Sequence, residues 1–255
     1  MLKRIMAEAT GSLIISLAIS TSTATNDRKL QGNQYLPVVA GFALFLSYSL
    51  TGFVSGHFNP AVTLGTVVKK LLGCNLGYSE LAEYALYLAA QAAGAFLGFM
   101  AGWGITGNLF YFKVFPGYDY GDTIGYVKGS TEASAFFGEF VYTIIVAGCA
   151  LNIGKTSEQR VVSAIGAGLA YWVSAEILFY ISGGCLNPLF GLMANLLRVI
   201  FKGDDIGDTW VFVLAPLFGG LACGIFGFIF EKELSSKNQK PTESVLKEEE
   251  EYRLF

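Results

Sequence analysis

Charged residues divide this chain into long uncharged tracts. Between Lys29 and Lys69 lie 39 residues without a formal charge, and between Arg160 and Arg198 lie 37 whose only charge is Glu176. A helix needs about 20 apolar residues to cross a bilayer and about ten to cross half of it, so each tract is sized for one span plus one half-helix. Inside each, a Gly-rich turn, an asparagine and a proline interrupt the apolar run. The first break is Ser55-Gly56-His57-Phe58-Asn59-Pro60-Ala61; the second, 128 residues later (187 − 59), is Ser182-Gly183-Gly184-Cys185-Leu186-Asn187-Pro188-Leu189. An asparagine side chain accepts the free N–H groups of a helix's first turn, and proline at the first helical position has no N–H to leave unpaired. Each break therefore predicts a helix that begins inside the membrane, over about 60–72 and about 188–201. Non-helical backbone at that depth is tolerated only where protein packs around it or where it lines a water-filled cavity. Two such breaks predict a pore.

The other apolar runs complete six full spans, at about 5–24, 35–53, 81–105, 133–153, 161–181 and 209–230. The pattern is three spans with a half-helix after the second, then the same again: repeat one covers about 5–105 and repeat two about 132–230, joined by the longest connection, 106–130. Three is odd, so the second copy enters from the opposite face, which makes an inverted repeat. The two half-helices then meet by their Asn-Pro ends near the midplane. In the third span Gln91, Gly94, Gly98 and Gly102 form a ladder that permits close helix contact. The fold class expected is an all-α membrane protein, with a channel domain at 1–231 and a polar, disordered tail at 232–255.

Composition supports this class. Hydrophobic residues make up 53% and charged residues 15%, with mean hydropathy +0.50, which excludes a soluble two-domain chain. No small-residue cleavage site follows Met1-Leu2-Lys3-Arg4, so the N-terminus is read as retained. A net charge of −3 argues against a nucleic-acid partner. The four cysteines, Cys74, Cys149, Cys185 and Cys223, are isolated and read as small buried hydrophobes rather than metal ligands. No HExxH, nucleophile elbow or P-loop is present, and one histidine leaves little acid/base chemistry near neutral pH, so neither an enzyme nor a cofactor is expected. With the N-terminus inside, eleven Lys and Arg residues fall on the inner side, among them Arg4, Lys69 and Lys70. Six fall outside, among them Arg198 and Lys202, which favours both termini in the cytoplasm.

Glu8, His57-Phe58-Asn59-Pro60-Ala61-Val62-Thr63, Gln91-Ala92-Ala93-Gly94-Ala95, Glu139-Phe140-Val141-Tyr142-Thr143 and Ser182-Gly183-Gly184-Cys185-Leu186-Asn187-Pro188 together resemble the aquaporin (major intrinsic protein) family over about 7–230. The resemblance implies six tilted helices and two half-helices around one pore per subunit, usually in a homotetramer in the lipid bilayer of the plasma membrane or an intracellular vesicle. It also implies passive conduction of water or small uncharged solutes. Asn59-Pro60-Ala61 and Asn187-Pro188-Leu189 match the two pore motifs, with Leu189 where the family usually has Ala. The two Asn amides match donors to the permeant, and the positive ends of the half-helix dipoles disfavour protons and other cations. The family's outer constriction is a ring of four positions, the most characteristic an Arg three residues after the second Asn. That residue here is Phe190; by spacing the others are Ala40, Ala175 and Gly184. The Asp that often marks glycerol facilitators is replaced by Gly191. A ring without charge or strong donors predicts a wide, apolar filter passing water with a small polyol, urea or hydrogen peroxide, unless Phe190 blocks it.

Other residues leave alternatives open. Glu8 and Glu139 are intramembrane acids, functional by default, but symmetry and the resemblance favour support of the two re-entrant loops through backbone N–H groups. His57 matches the family's loop histidine; it senses pH or only holds the loop. Glu176 faces either the pore or a neighbouring helix or subunit. Cys185 is either reachable from the outer vestibule or inertly packed. Tyr252-Arg253-Leu254-Phe255 has the form of a tyrosine-based sorting signal for an adaptor, within a tail otherwise read as solvated. The competing functions are a secondary transporter, for which the midplane offers amides rather than paired ions, and a non-conducting scaffold closed by Phe190 and Leu189.

Overall fold

The computed structural model describes residues 1–22, 35–114, 131–151 and 157–238. These residues form α1 (Leu2–Ser22), α2 (Leu36–Thr51), α3 (Pro60–Leu72), α4 (Tyr78–Thr106), α5 (Glu132–Leu151), α6 (Ser157–Leu178), α7 (Pro188–Lys202) and α8 (Thr209–Asn238), with no strand among them. The order is the one the charge and hydropathy pattern predicts. The two half-helices, α3 and α7, start at their prolines. Five helices are long and apolar enough to cross a membrane; α2, at 16 residues, is shorter. Its hydrogen bonding continues past Thr51, however. Gly52 N–H donates to Tyr48 O at 2.9 Å and Ser55 N–H to Thr51 O at 3.2 Å, so ordered backbone carries the chain to the first loop.

Packing follows the inverted repeat. α1 packs on α4 and α2 as α5 packs on α8 and α6, while α3 crosses to α8 and α7 to α4. The halves meet along α2 and α6, where a Cβ on Gly41 would lie 2.6 Å from Gly168 O and one on Gly168 would lie 2.9 Å from Gly41 O. Each glycine accepts the other's backbone, so the pseudo-two-fold axis passes between them. Trp172 packs on Gly41 as Phe45 packs on Gly168, which continues the correspondence.

Glycine faces set the tight crossings. The expected α4 ladder lies on α1: added Cβ atoms would come within 2.1 Å of Ala9 O at Gly94, 2.0 Å of Ser16 Oγ at Gly98 and 2.3 Å of Ser20 Oγ at Gly102. α8 carries two such faces, Gly219 against Phe140 and Thr143 of α5, and Gly220 and Gly224 against Ala61 and Gly65 of α3. Polar side chains point inward, with Ser12, Ser16, Ser20, Ser47, Gln91 and Thr143 fully buried, while Phe42, Leu46, Phe96, Leu97, Phe218 and Ile229 are exposed on the outside. An apolar belt of that extent suits hydrocarbon rather than water.

Two boundaries differ from the sequence expectation. α4 begins at Tyr78, because Glu80 accepts from Gly77 N–H and caps the helix start in the polar stretch. α8 runs on to Asn238, so Lys232 to Asn238 are helical rather than the start of a disordered tail: Glu231, Lys232 and Glu233 are good helix formers, and Glu231 pairs with Lys69 at 3.3 Å. Tyr252-Arg253-Leu254-Phe255 lies outside the described residues.

Candidate functional site

Both half-helices start by the same local chemistry. Asn59 and Asn187 are extended at the cap position, and their Oδ1 atoms accept from Ala61 N–H at 2.8 Å and Leu189 N–H at 3.0 Å. Pro60 and Pro188 occupy the first turn, where a missing N–H costs nothing. The residue before each asparagine, Phe58 or Leu186, has a positive φ, 50° and 54°. Bulky side chains rarely adopt this left-handed conformation, at a cost of order 1–3 kcal/mol unless the surroundings compensate.

The compensation is a crossed pair of hydrogen bonds between the repeats. Asn59 Nδ2 donates to Leu186 O at 2.8 Å, and Asn187 Nδ2 donates to Phe58 O at 3.0 Å. The left-handed turn aims each carbonyl at the opposite amide. Each asparagine thus caps its own helix with its oxygen and ties the other loop with its nitrogen, which brings the two half-helix N-termini together.

Two buried carboxylates hold the loops from behind. Glu8 accepts from Ser55 Oγ (2.5 Å) and His57 N–H (2.8 Å) on one oxygen, and from Phe58 N–H and Gln91 Nε2 (both 2.7 Å) on the other. Glu139 accepts from Ser182 Oγ (2.6 Å) and Cys185 N–H (2.8 Å) on one oxygen, and from Leu186 N–H (2.7 Å) on the other. Irregular backbone at this depth has no water to satisfy it, and a carboxylate offers about four acceptor sites. Ser55 and Ser182 do the same work at positions that differ by one residue, which accounts for the shorter first loop. Sequence reasoning gave neither serine a role; the shared Ser-Gly before each asparagine was the signal available. Gln91 supplies the first carboxylate's fourth bond.

The remaining expected residues separate by location. His57 lies in the first loop, its Nδ1 3.1 Å from Thr63 Oγ1 and its ring stacked on Tyr84 and edge-on to Tyr87. Cys185 is fully buried with Sγ 3.1 Å from Asn187 O, so the accessible-thiol alternative is excluded by burial. Glu176 is exposed on the outside of α6 beside exposed Val173 and Ile177; one helical step of 100° turns it away from buried Ala175. Of the two placements left open for Glu176, the structure shows the outward one. Of the ring positions, Gly184 packs directly on Ala175, its added Cβ falling 2.6 Å from Ala175 Cα. Ala40 is buried one turn before Leu44 on α2, and Phe190 is buried against Phe99 of α4, ring centroids 6.3 Å apart.

A cavity of about 10 Å³ lies at the asparagine pair, bounded by Asn59, Asn187, Phe58, Phe190, Tyr48 and Val146 among others. That is about the least space that holds one water. Phe190 therefore forms wall beside the asparagines. Tyr48 and Tyr171, neither singled out from sequence, also bound this space, and Tyr171 Oη donates to Cys185 O at 2.6 Å.

The model of the family described as "Major intrinsic protein" matches residues 1–226. The chain belongs to the major intrinsic protein family. It is an integral membrane channel of the class that carries water and small solutes, not an enzyme. This major intrinsic protein is 27% identical over 219 residues to the probable aquaporin PIP2-5 of Arabidopsis thaliana, covering 84% of this chain and 72% of the relative. It is 26% identical over 221 residues to aquaglyceroporin-3 of Trypanosoma brucei brucei, covering 78% of this chain and 67% of the relative. The X-ray structure of the aquaglyceroporin from Plasmodium falciparum superposes with a TM-score of 0.68 at 21% identity, over 88% of this chain and 94% of that one, and so shares the fold.

Proposed function

We propose that this protein conducts water and small neutral solutes passively through one pore per subunit, past the paired amides of Asn59 and Asn187, with a selectivity filter that lacks the usual arginine. The observation that carries the reading is the crossed asparagine clamp beside a cavity of one-water size. Each amide has two N–H bonds, of which the clamp uses one, and the second is the donor for a permeant oxygen. The two half-helix N-termini add partial positive charge at the same point, which opposes protons and other cations. Glu8, Glu139 and His57 act as loop supports, since each carboxylate accepts three bonds from its loop and His57 Nδ1 lies 3.1 Å from Thr63 Oγ1. This disfavours a coupled transporter.

In this reading Phe190 replaces a fixed charge by an apolar wall, with Ala40, Ala175 and Gly184 completing a ring of small residues. Water matches the one-molecule size of the central cavity, and glycerol or urea passes when the Phe190 ring turns aside. The closed-scaffold reading draws on one observation, the small size of the same cavity. We further propose a channel domain at 1–231, assembly as a homotetramer, and both termini in the cytoplasm. The last is supported by Arg4–Glu83, Lys70–Glu80 and Lys69–Glu231, which gather basic residues at one end of the bundle.

Stopped-flow light scattering on proteoliposomes tests the function. Water flux well above empty liposomes is expected, with measurable glycerol or urea uptake, and Phe190→Arg is expected to suppress the solute flux while keeping water. No flux of either from folded protein would overturn conduction in favour of the scaffold. An unchanged solute profile in Phe190→Arg would remove Phe190 from the filter.

A further inference from the structure

The pseudo-two-fold axis pairs every position of the outer ring with a position on the opposite side of the asparagine clamp. The relation that carries Gly41 to Gly168 and Phe45 to Trp172 carries Tyr48 to Ala175. The loop position Gly184 likewise corresponds to Gly56. The contacts agree: Gly184 packs on Ala175, its added Cβ 2.6 Å from Ala175 Cα, and Gly56 packs on Tyr48, its added Cβ 2.7 Å from the ring at Cε1. Where the second half seats a loop glycine on an alanine's backbone, the first half seats one on a tyrosine ring. The first loop, one residue shorter, leaves room for that ring.

We infer that Tyr48 is a size-determining residue of this pore, forming on the first-loop side a constriction that the alanine and glycine of the outer ring do not form on theirs. The inference rests on the channel reading and adds the place where solutes are sorted. Tyr48 bounds the central cavity together with Asn59, Asn187 and Phe190. Its ring is packed by Gly56 and by Phe58, whose ring centroid is 5.1 Å away. Phe58 is in turn fixed by its left-handed backbone, its N–H bond to Glu8 and its carbonyl bond from Asn187. A phenol held in this way cannot swing aside without disturbing the loop that carries Asn59. It is part of the wall of that cavity and carries no charge there, so it sorts by cross-section rather than by charge. With Ala40, Ala175 and Gly184 all small, the bulky walls lie at the central cavity, Tyr48 and Phe190 among them.

The test measures water, urea and glycerol permeability of proteoliposomes carrying wild type, Tyr48→Ala, Tyr48→Leu and Tyr48→Phe. Tyr48→Ala is expected to raise the glycerol-to-water permeability ratio by about tenfold, the scale of removing a side chain's bulk from a fitted apolar site. Tyr48→Leu gives a smaller rise and preserves more packing if the alanine variant does not fold. Tyr48→Phe keeps the wild-type ratio, because the ring and not the hydroxyl sets the width. If the alanine and leucine variants fold and conduct water while the ratio stays at the wild-type value, the inference is overturned and the channel reading stands. If wild type and all folded variants are silent, conduction itself fails and the inference falls with it. A silent wild type with a conducting Tyr48→Ala would establish Tyr48 as the closing residue.

Discussion

At the scale of single residues, the centre is governed by satisfaction of backbone polar groups where no water reaches. Phe58 and Leu186 accept an unfavourable φ because each turn puts an N–H on a carboxylate and a carbonyl on the opposite asparagine. Glu139 accepts three hydrogen bonds and Glu8 four, two of each from backbone N–H groups, so neither is replaceable by its amide. In Glu139→Gln one acceptor becomes a donor facing other donors, and leaving a buried donor unsatisfied costs about 1–3 kcal/mol. The midpoint of thermal unfolding in detergent is expected to fall for Glu139→Gln and Glu8→Gln alike, with loss of water flux. An unchanged midpoint would show that the carboxylates are not structural. The sorting role of Tyr48 belongs to this scale too, since it depends on one ring seated over one glycine.

Elements are organised by which glycine faces what. Gly94 of α4 and Gly220 of α8 lie so close to the carbonyls of Ala9 and Ala61 that an added Cβ would fall 2.1 Å away in both cases. The obstacle is backbone and cannot rotate away. Gly94→Ala and Gly220→Ala are expected to destabilise by about 1–3 kcal/mol, as overpacking does. Gly166 of α6 has nothing within 4 Å of its added Cβ. Gly166→Ala is expected to be neutral or to stabilise by about 0.5–1 kcal/mol through helix propensity. Ranking the three by thermal unfolding checks the assignment, and a Gly166→Ala as damaging as Gly94→Ala would contradict it. Lys70–Glu80 and Arg4–Glu83, at 2.5 and 3.1 Å, join helix ends but are partly exposed and contribute little.

For the whole molecule, the inverted repeat, three spans to each half, brings two half-helices from opposite faces to a facing pair of asparagines at the centre. The outside is an apolar belt in which Glu176 stands out. Because it lies on the outer stripe of α6, Glu176→Gln is expected to leave water and solute permeability unchanged between pH 5 and 8. A conductance that follows pH in wild type and not in the variant would place this carboxylate in the pathway after all. The same substitution, followed by cross-linking or native mass measurement, reports whether the exposed acid sits between subunits.

Much of this was legible in the linear chain. The 39- and 37-residue tracts, the two Asn-Pro breaks and the placement of Glu8 and Glu139 ahead of them determined the helix order, the half-helix starts and the inverted repeat. These follow from local rules: a bilayer fixes helix length, a cap fixes a helix start, and an odd span count fixes the inversion. Which way a side chain points was not local. One step along α6 separates buried Ala175 from exposed Glu176, and the sequence carries no phase accurate to 100° over a whole span. The crossed bonds of Asn59 and Asn187, the serines that share the carboxylates and the ring of Tyr48 over Gly56 join residues from different elements or opposite repeats. They exist only once the two halves have packed along Gly41 and Gly168, because only that crossing brings both loops to one point.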